Sequence, residues 1–542
     1  MRKRLLTLLL CACCAWASAQ DYSNAAGQQA RLQALAKTHP QLVTLKSLVK
    51  TSGGKDIWLL TIGTGKTETK PAIAVIGGVE GNHLLGTELA IGFAENLLAK
   101  AGTDSVKNLL AKTTYYVFPN MSPDAMEQYF ASLKYERTGN AVETDDDRDG
   151  KLNEDAVDDL DRNGKITWMR VSSPIGDYKL HPDDPRVLIK ADSTKGERGQ
   201  YLLMQEGMDN DKDGKLNEDG AGGIAFNKNL TYMHRTFAAG AGDYPASEKE
   251  TRAMLDFLYD AFNVYAVVSF GSNNNLSTPI AFNPAAAQQR ITAGWAEADT
   301  RANSAVSELY NKTTGLKDAP KTNTTGGDVL SWGYFHYGRL SFSTPGWWIP
   351  KAKPDTAKKE KAFTVEDPSA NALRWFSQQG ITEFTEWTTV NHPDYPGQKV
   401  EVGGPSPFAL INPPYKMTAD AVKKHTEFLV RLASLQPEIV VMNVKTEKLG
   451  NNLTRVTADI VNKGVLSTHS KIGERSYFVK KMKVALNTSG KQEVVGGKKI
   501  QLFNGMAGNS SQQVSWLVKG AGKCTLEAGC PTGGITTIDI NL

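Results

Sequence analysis

Between residues 20 and 435 the chain alternates short apolar runs with segments whose apolar residues recur every three to four positions. The runs "AIAVIGG", "TYYVFPN", "YAVVSFG", "GRLSFST" and "ITEFTEW" predict strands, being rich in β-branched and aromatic residues and bounded by turn formers. Leu85 to Ala99, Ser247 to Tyr259, Ala285 to Tyr310 and Thr418 to Leu435 predict helices. Such alternation implies a mixed α/β unit over residues 20–435. Beyond Pro437 the text becomes short alternating runs separated by Asn, Gly and Ser, a spacing that predicts a β-sandwich over residues 436–542.

Two acidic insertions interrupt the α/β pattern, at residues 143–168 and 209–220. The first contains "TDDDRDGKLNEDAVDDLDRNGKI" and the second reads "DNDKDGKLNEDG". Asp145, Asp147 and Asp149, and again Asp209, Asp211 and Asp213, stand at alternate positions ahead of a glycine, as in the first half of an EF-hand loop, where carboxylates converge on calcium. The twelfth loop position is Ala156 or Gly220, so the usual bidentate glutamate is absent; Glu154, Asp155, Glu218 and Asp219 lie just before it. The pattern fits either a solvated acidic turn or a structural calcium loop.

The N-terminus "MRKRLLTLLLCACCAWASAQ" has a basic start, a short apolar run and a small-x-small site at Ala17-Ser18-Ala19, the signature of a signal peptide over residues 1–19. Cys13 admits a lipoprotein reading as the alternative. Export is thus expected, to the periplasm or beyond. Downstream only Cys524 and Cys530 remain, and an even pair in an exported chain predicts a local disulfide. Of 62 Lys and Arg against 58 Asp and Glu, three basic residues lie in the leader, so the mature chain is nearly neutral. That balance gives no reason to expect nucleic acid or a membrane surface as partner, and no later apolar run approaches the ~20 residues of a membrane span.

The stretch "PAIAVIGGVEGNHLLGTELA" carries the candidate chemistry. A strand ends in two glycines, and Glu80 and His83 follow three residues apart, ahead of a helix. Alone, such a pair suits a surface loop as well as a metal site. No G-x-S-x-G elbow, H-E-x-x-H pair or phosphate loop accompanies it.

In order along the chain, "GNHLLGTE", "GGIAFNKNL", "DYPASEKETRAMLDFL" and "SWGYFHYGRLSF" resemble the zinc carboxypeptidases of the carboxypeptidase A type, in particular secreted bacterial members with Asp-rich inserts. The resemblance implies a central mixed sheet of about eight strands flanked by helices. It also implies zinc held by His-x-x-Glu and a second histidine, with a glutamate as general base, an arginine for the oxyanion, an Asn-Arg clamp for the substrate carboxylate and a closing tyrosine.

Matched position by position, the metal pair becomes Glu80 and His83 in exchanged order. Gly271 stands at the second histidine and Pro345 at the general base, and neither residue type can do the work. Asn227 and Lys228 replace Asn-Arg, Arg137 takes the oxyanion position and Tyr334 that of the closing tyrosine. Glu383, Glu386 and His392 are spare groups available to an altered site, and Trp332, Tyr334, Phe335, Tyr337, Trp347 and Trp348 are expected in the core and pocket wall. The expected function is a degenerate peptidase that binds peptide or cell-wall peptide carboxylates without hydrolysis. The alternatives are an active zinc metallocarboxypeptidase using Glu80, His83 and a third ligand, and an extracellular scaffold.

Overall fold

The computed structural model describes residues 21–542 except 147, 221, 321–325 and 356–359, so the leader and Asp147 lie outside the described residues. Among the described residues no helix is long and apolar enough to cross a membrane.

A six-stranded mixed sheet organises the first part of the chain, in the order Val43–Lys50, Asp56–Ile62, Thr114–Phe118, Ala72–Ile76, Val264–Phe270, Leu340–Thr344. The first two strands form an antiparallel hairpin that joins Thr114–Phe118 antiparallel, and the remaining pairings are parallel. Every residue of Ala72–Ile76 is buried, because this central strand is covered on both faces. Ile73 and Val75 pack with Leu85, Leu89 and Phe93 and with Phe428 and Leu429, from the helices Leu84–Leu98 and Thr418–Ala433. Ala72, Ala74 and Ile76 face the opposite core, with Met254, Leu258 and Trp332.

Six strands replace the roughly eight implied by the resemblance. The run "ITEFTEW" supplies a strand, Phe384–Val390, but in a second sheet of order Phe384–Val390, Val400–Pro405, Trp168–Ser172, Tyr201–Gln205, Tyr178–Leu180, Leu188–Lys190. None of its residues is fully buried, which suits an antiparallel sheet wetted on one side better than a central parallel strand. The helix expected over Ala285 to Tyr310 is also divided, into Pro284–Ala287 and Glu297–Thr314. Gly294 turns the chain between them so closely that a Cβ there would stand 2.8 Å from the Ala287 amide nitrogen.

From Ile439 onward two four-stranded antiparallel sheets face each other. Val456, Ile460 and Trp516 of one sheet share a core with Val484, Leu526 and Ile540 of the other, the expected sandwich. The expected disulfide does not form: Cys524 and Cys530 are both free and buried. They lie on one strand, Lys523–Cys530, and six residues of extended chain span about 20 Å, far beyond the ~4.4–6.8 Å between Cα atoms that a disulfide allows.

The sandwich is seated on the first sheet through Arg339. This residue is 2% exposed; its Nη2 donates to the Phe478 carbonyl at 2.7 Å and its guanidinium lies 4.5 Å from the centroid of the Tyr337 ring. Ser470 Oγ donates to the Gly338 carbonyl at 2.9 Å, and Phe478 stacks on Tyr259 at 3.9 Å.

Candidate functional site

The site lies where the central strand Ala72–Ile76 hands over to the helix Leu84–Leu98. Gly78 turns the chain with φ +56°, and a Cβ there would stand 2.4 Å from Asn120 Oδ1, so only glycine serves both the turn and the close approach. Gly81 packs on Ala125 with equal closeness. The loop is then fastened from the side: Asn82 Nδ2 donates to Glu136 Oε2 at 3.0 Å, and Asn412 bridges the Asn82 carbonyl and the Leu85 N–H. Glu136 in turn accepts from the Phe408 N–H at 2.9 Å. Glu136 and Asn412 carry no sequence signal of this role, since each acts through contacts distant in the chain.

Glu80 does not stand open to solvent as a vacant ligand. Asn227 Nδ2 donates to its Oε1 at 2.6 Å, Ser272 Oγ donates to Oε1 at 2.7 Å, and the Ser272 N–H reaches Oε2 at 3.1 Å. Asn227 is 8% exposed, and its Oδ1 accepts from the Val329 N–H at 2.9 Å, which fixes the amide's orientation. A Cβ on Gly271 would stand 2.6 Å from Glu80 Oε2 and 2.3 Å from Val79 Cγ2. The Glu80 carboxylate therefore fills the space that any side chain at 271 would need.

His83 turns the other way. It is 5% exposed, its Nε2 donates to the Pro345 carbonyl at 3.0 Å, and its Nδ1 faces Gly86, where a Cβ would stand 2.9 Å away. Burial holds the imidazole below its ordinary pKa, against the opposing pull of the Glu80 carboxylate. Among the described residues no third His, Cys, Asp or Glu completes a three-ligand group with Glu80 and His83. A catalytic zinc needs three protein ligands around one point. This donor set falls short of one: hydrogen-bond donors hold the Glu80 carboxylate, His83 spends Nε2 on a backbone carbonyl and has only Nδ1 left without a partner, and Gly271 has nothing to offer.

The remaining expected residues divide. Lys228 is exposed, and its Nζ donates to the Ala239 carbonyl at 3.0 Å. Arg137 is committed to its own loop, donating to the carbonyls of Gly139 and Asn140, so its guanidinium is a loop fastener rather than a free oxyanion donor. Tyr334 is fully buried; it stacks on Trp295 at 4.0 Å, donates to Asp299 Oδ2 at 2.8 Å and accepts from the Ala296 N–H at 2.9 Å. A tyrosine with its hydroxyl satisfied inside the core cannot close over a ligand, which corrects the expectation for Tyr334. His392 is likewise absent from the site, its Nε2 lying 2.8 Å from the Gly207 carbonyl.

The acidic insertions meet each other. Asp155, 1% exposed, accepts from the Asn210 N–H at 2.8 Å, and Asp219 accepts from the Asp146 N–H. Carboxylate oxygens of Asp149, Glu154 and Asp211 approach within 4.8 Å of one another, as do those of Asp209, Asp211 and Asp213, and those of Asp159, Asp161 and Glu206. The last group carries no sequence signal, because its third carboxylate, Glu206, lies just past the strand Tyr201–Gln205 and outside the motif.

Residues 29–180 match the family model described as zinc carboxypeptidase, a range that holds Glu80, His83 and Arg137, and residues 438–541 match a domain of unknown function. Among curated proteins the chain is similar to carboxypeptidase E of Caenorhabditis elegans, 31% identical over 111 residues that make up 20% of this chain and 24% of that protein. It is also similar to carboxypeptidase D of Drosophila melanogaster, 26% identical over 28% of this chain and 11% of the other. The chain thus spans a quarter or less of these relatives' length. Solved structures similar to it include bovine thrombin-activatable fibrinolysis inhibitor in complex with a tick carboxypeptidase inhibitor (12% identity, 76% and 97% of the two chains, TM-score 0.35) and carboxypeptidase A of Helicoverpa armigera (14%, 66% and 72%, 0.36). Over residues 29–180 the chain is thus similar to the zinc carboxypeptidase family.

Proposed function

We propose that this protein is an exported, non-hydrolysing member of the zinc carboxypeptidase family that binds peptides by their C-terminal carboxylate. One observation carries the loss of hydrolysis: the Glu80 carboxylate is locked over Gly271 by Asn227 and Ser272, in the space a ligand side chain would occupy. A metal-bound water is what the family's chemistry requires, and among the described residues no third His, Cys, Asp or Glu joins Glu80 and His83 to hold it. Binding is supported by Lys228, an exposed ammonium adjacent to Asn227 that can pair with a carboxylate as a point charge. Asn227, expected to share that clamp, instead grips Glu80 and is assigned a positioning role.

Export rests on the leader pattern of residues 1–19, and the division into units at about Gln436 on the change of pattern there. N-terminal sequencing of the exported protein is expected to begin at Gln20. The central test uses the purified mature chain. Metal analysis and a panel of peptides with free C-termini are expected to give no stoichiometric zinc and no chelator-sensitive cleavage. The same peptides are expected to bind, more weakly once C-terminally amidated and more weakly to Lys228→Ala. Zinc at one ion per chain that His83→Ala removes, or hydrolysis abolished by chelation, sinks the proposal. Binding indifferent to both amidation and Lys228→Ala sinks its carboxylate half.

A further inference from the structure

The two acidic loops, read singly, each lack the last ligand of a calcium loop. Together they make up for it. Residues 148–155 and 212–219 share one conformation: Arg148 and Lys212 have φ +69° and +71°, Gly150 and Gly214 +95° and +98°, and Asn153 and Asn217 +55° and +59°. Their first aspartates cap the loop alike, Asp145 Oδ2 accepting from the Gly150 N–H at 3.1 Å and Asp209 Oδ2 from the Gly214 N–H at 3.0 Å. The two loops are also joined reciprocally, Asp155 to the Asn210 N–H and Asp219 to the Asp146 N–H.

We propose that these loops form a single two-ion calcium centre in which each ion takes carboxylates from both loops. One ion would be held by Asp145, Asp149 and Glu154 with Asp219 and Asp211 from the other loop, and the second by Asp209, Asp211, Asp213 and Glu218 with Asp155 crossing over. Asp211 belongs to both close carboxylate groups, with Asp149 and Glu154 on one side and with Asp209 and Asp213 on the other. It bridges the two ions.

Unspent oxygens point to a ligand. Both carboxylate oxygens of Glu154 and both of Glu218 are buried without a hydrogen-bond partner, as are Asp145 Oδ1 and Asp155 Oδ2. Asp155 is almost wholly buried and lies against Glu218. Burying an anion without a partner is costly, and pairing buried anions with each other compounds the cost. Lys151 pairs with Asp149 and Lys215 with Asp213, each at 2.7 Å and each lysine 64% exposed, so these cations sit at the rim of the cluster. An all-oxygen set with no imidazole or thiolate suits a hard divalent cation, and the number of oxygens suits the 6–8 ligands of calcium better than the octahedron of magnesium. The third acidic group differs: both Glu206 oxygens already accept from Leu160 and Thr167, so nothing there awaits an ion.

The test is titration calorimetry of the chelator-treated mature chain with calcium chloride, alongside its unfolding midpoint with and without calcium. Two ions are expected to bind, with a raised midpoint, and magnesium is expected to be weaker by tenfold or more. Asp155→Asn and Glu218→Gln are each expected to weaken one ion at least tenfold. The absence of heat and of any midpoint shift up to about 10 mM calcium, an order above the weakest extracellular modules, overturns the proposal whatever the variants do. Two ions bound as before in both variants overturns the crossed arrangement.

Discussion

Gly271→Ala tests the central claim about the site. A Cβ added there would lie 2.3 Å from Val79 Cγ2 and 2.6 Å from Glu80 Oε2, where carbon atoms rest at about 3.5–4.0 Å. Val79 is 1% exposed and has no room to retreat, so the methyl overpacks the core at about 1–3 kcal/mol. The Glu80 carboxylate must also rotate away, giving up the donors of Asn227 and Ser272. Asn227 Nδ2 would then be left buried and unmatched, at about 1–3 kcal/mol. A total of about 2–6 kcal/mol follows for Gly271→Ala. Glu80→Ala removes the same hydrogen bonds, so in that background Gly271→Ala costs only the Val79 part. Urea unfolding of wild type, both single variants and the double variant, with m held constant, is therefore expected to show a coupling of about 1–3 kcal/mol. Additivity to within about 0.3–0.5 kcal/mol, or a cost for Gly271→Ala below about 0.5 kcal/mol, would refute the picture of a carboxylate seated over that glycine.

Other outcomes follow from groups away from the site. Tyr334→Phe strands the Ala296 N–H and takes one of the donors of Asp299, which keeps the Lys471 N–H; it is expected to lower stability by about 1–2 kcal/mol and to leave peptide affinity unchanged, whereas a closing tyrosine would change affinity first. Burial holds His425 at about 4, with Nδ1 donating to the Ala421 carbonyl at 2.7 Å and Nε2 3.0 Å from the Tyr310 hydroxyl. The unfolded chain takes up that proton as pH falls through about 6.5 and the folded chain only near 4. Stability is thus fully present above 6.5 and lost between 6.5 and 4, at up to about 1.4 kcal/mol per pH unit; His425→Gln is expected to flatten that slope in denaturant titrations. Alkylation of the mature chain is expected to label two thiols in denaturant without reductant and far fewer in the folded state, because Cys524 and Cys530 are buried and unpaired; no labelling in denaturant would restore the disulfide.

The parts of the molecule governed by local periodicity were legible in the sequence. Ala72–Ile76 reads as a buried strand because its residues are all apolar, and the helix after His83 because its apolar positions repeat every three to four residues. The place of the candidate site followed from that junction. What residue types cannot convey is which way a side chain turns. Asn227 and Tyr334 have the chemistry to meet a substrate, yet one grips Glu80 and the other lies under Trp295, because contacts distant in sequence claim them first. The cysteines failed for a related reason: six residues are a short separation in a turn and a long one in a strand. Phe384–Val390 was legible as a strand, but the sheet it joins was not, since pairing with Val400–Pro405 is decided by one-sided burial.

The seat of Arg339 bears on how the chain is made. Its guanidinium keeps its charge, and its shortest hydrogen bond is to the carbonyl of Phe478, 139 residues downstream. At ~5–20 residues per second, a ribosome reaches Phe478 many seconds after it has finished the edge strand that Arg339 precedes. For that interval Arg339 stands uncovered and the edge of the central sheet lacks its neighbour. A chaperone binding the nascent chain has its window there, and a premature stop codon before Phe478 would yield a product with every strand of the central sheet and a guanidinium that lacks the Phe478 carbonyl as its acceptor.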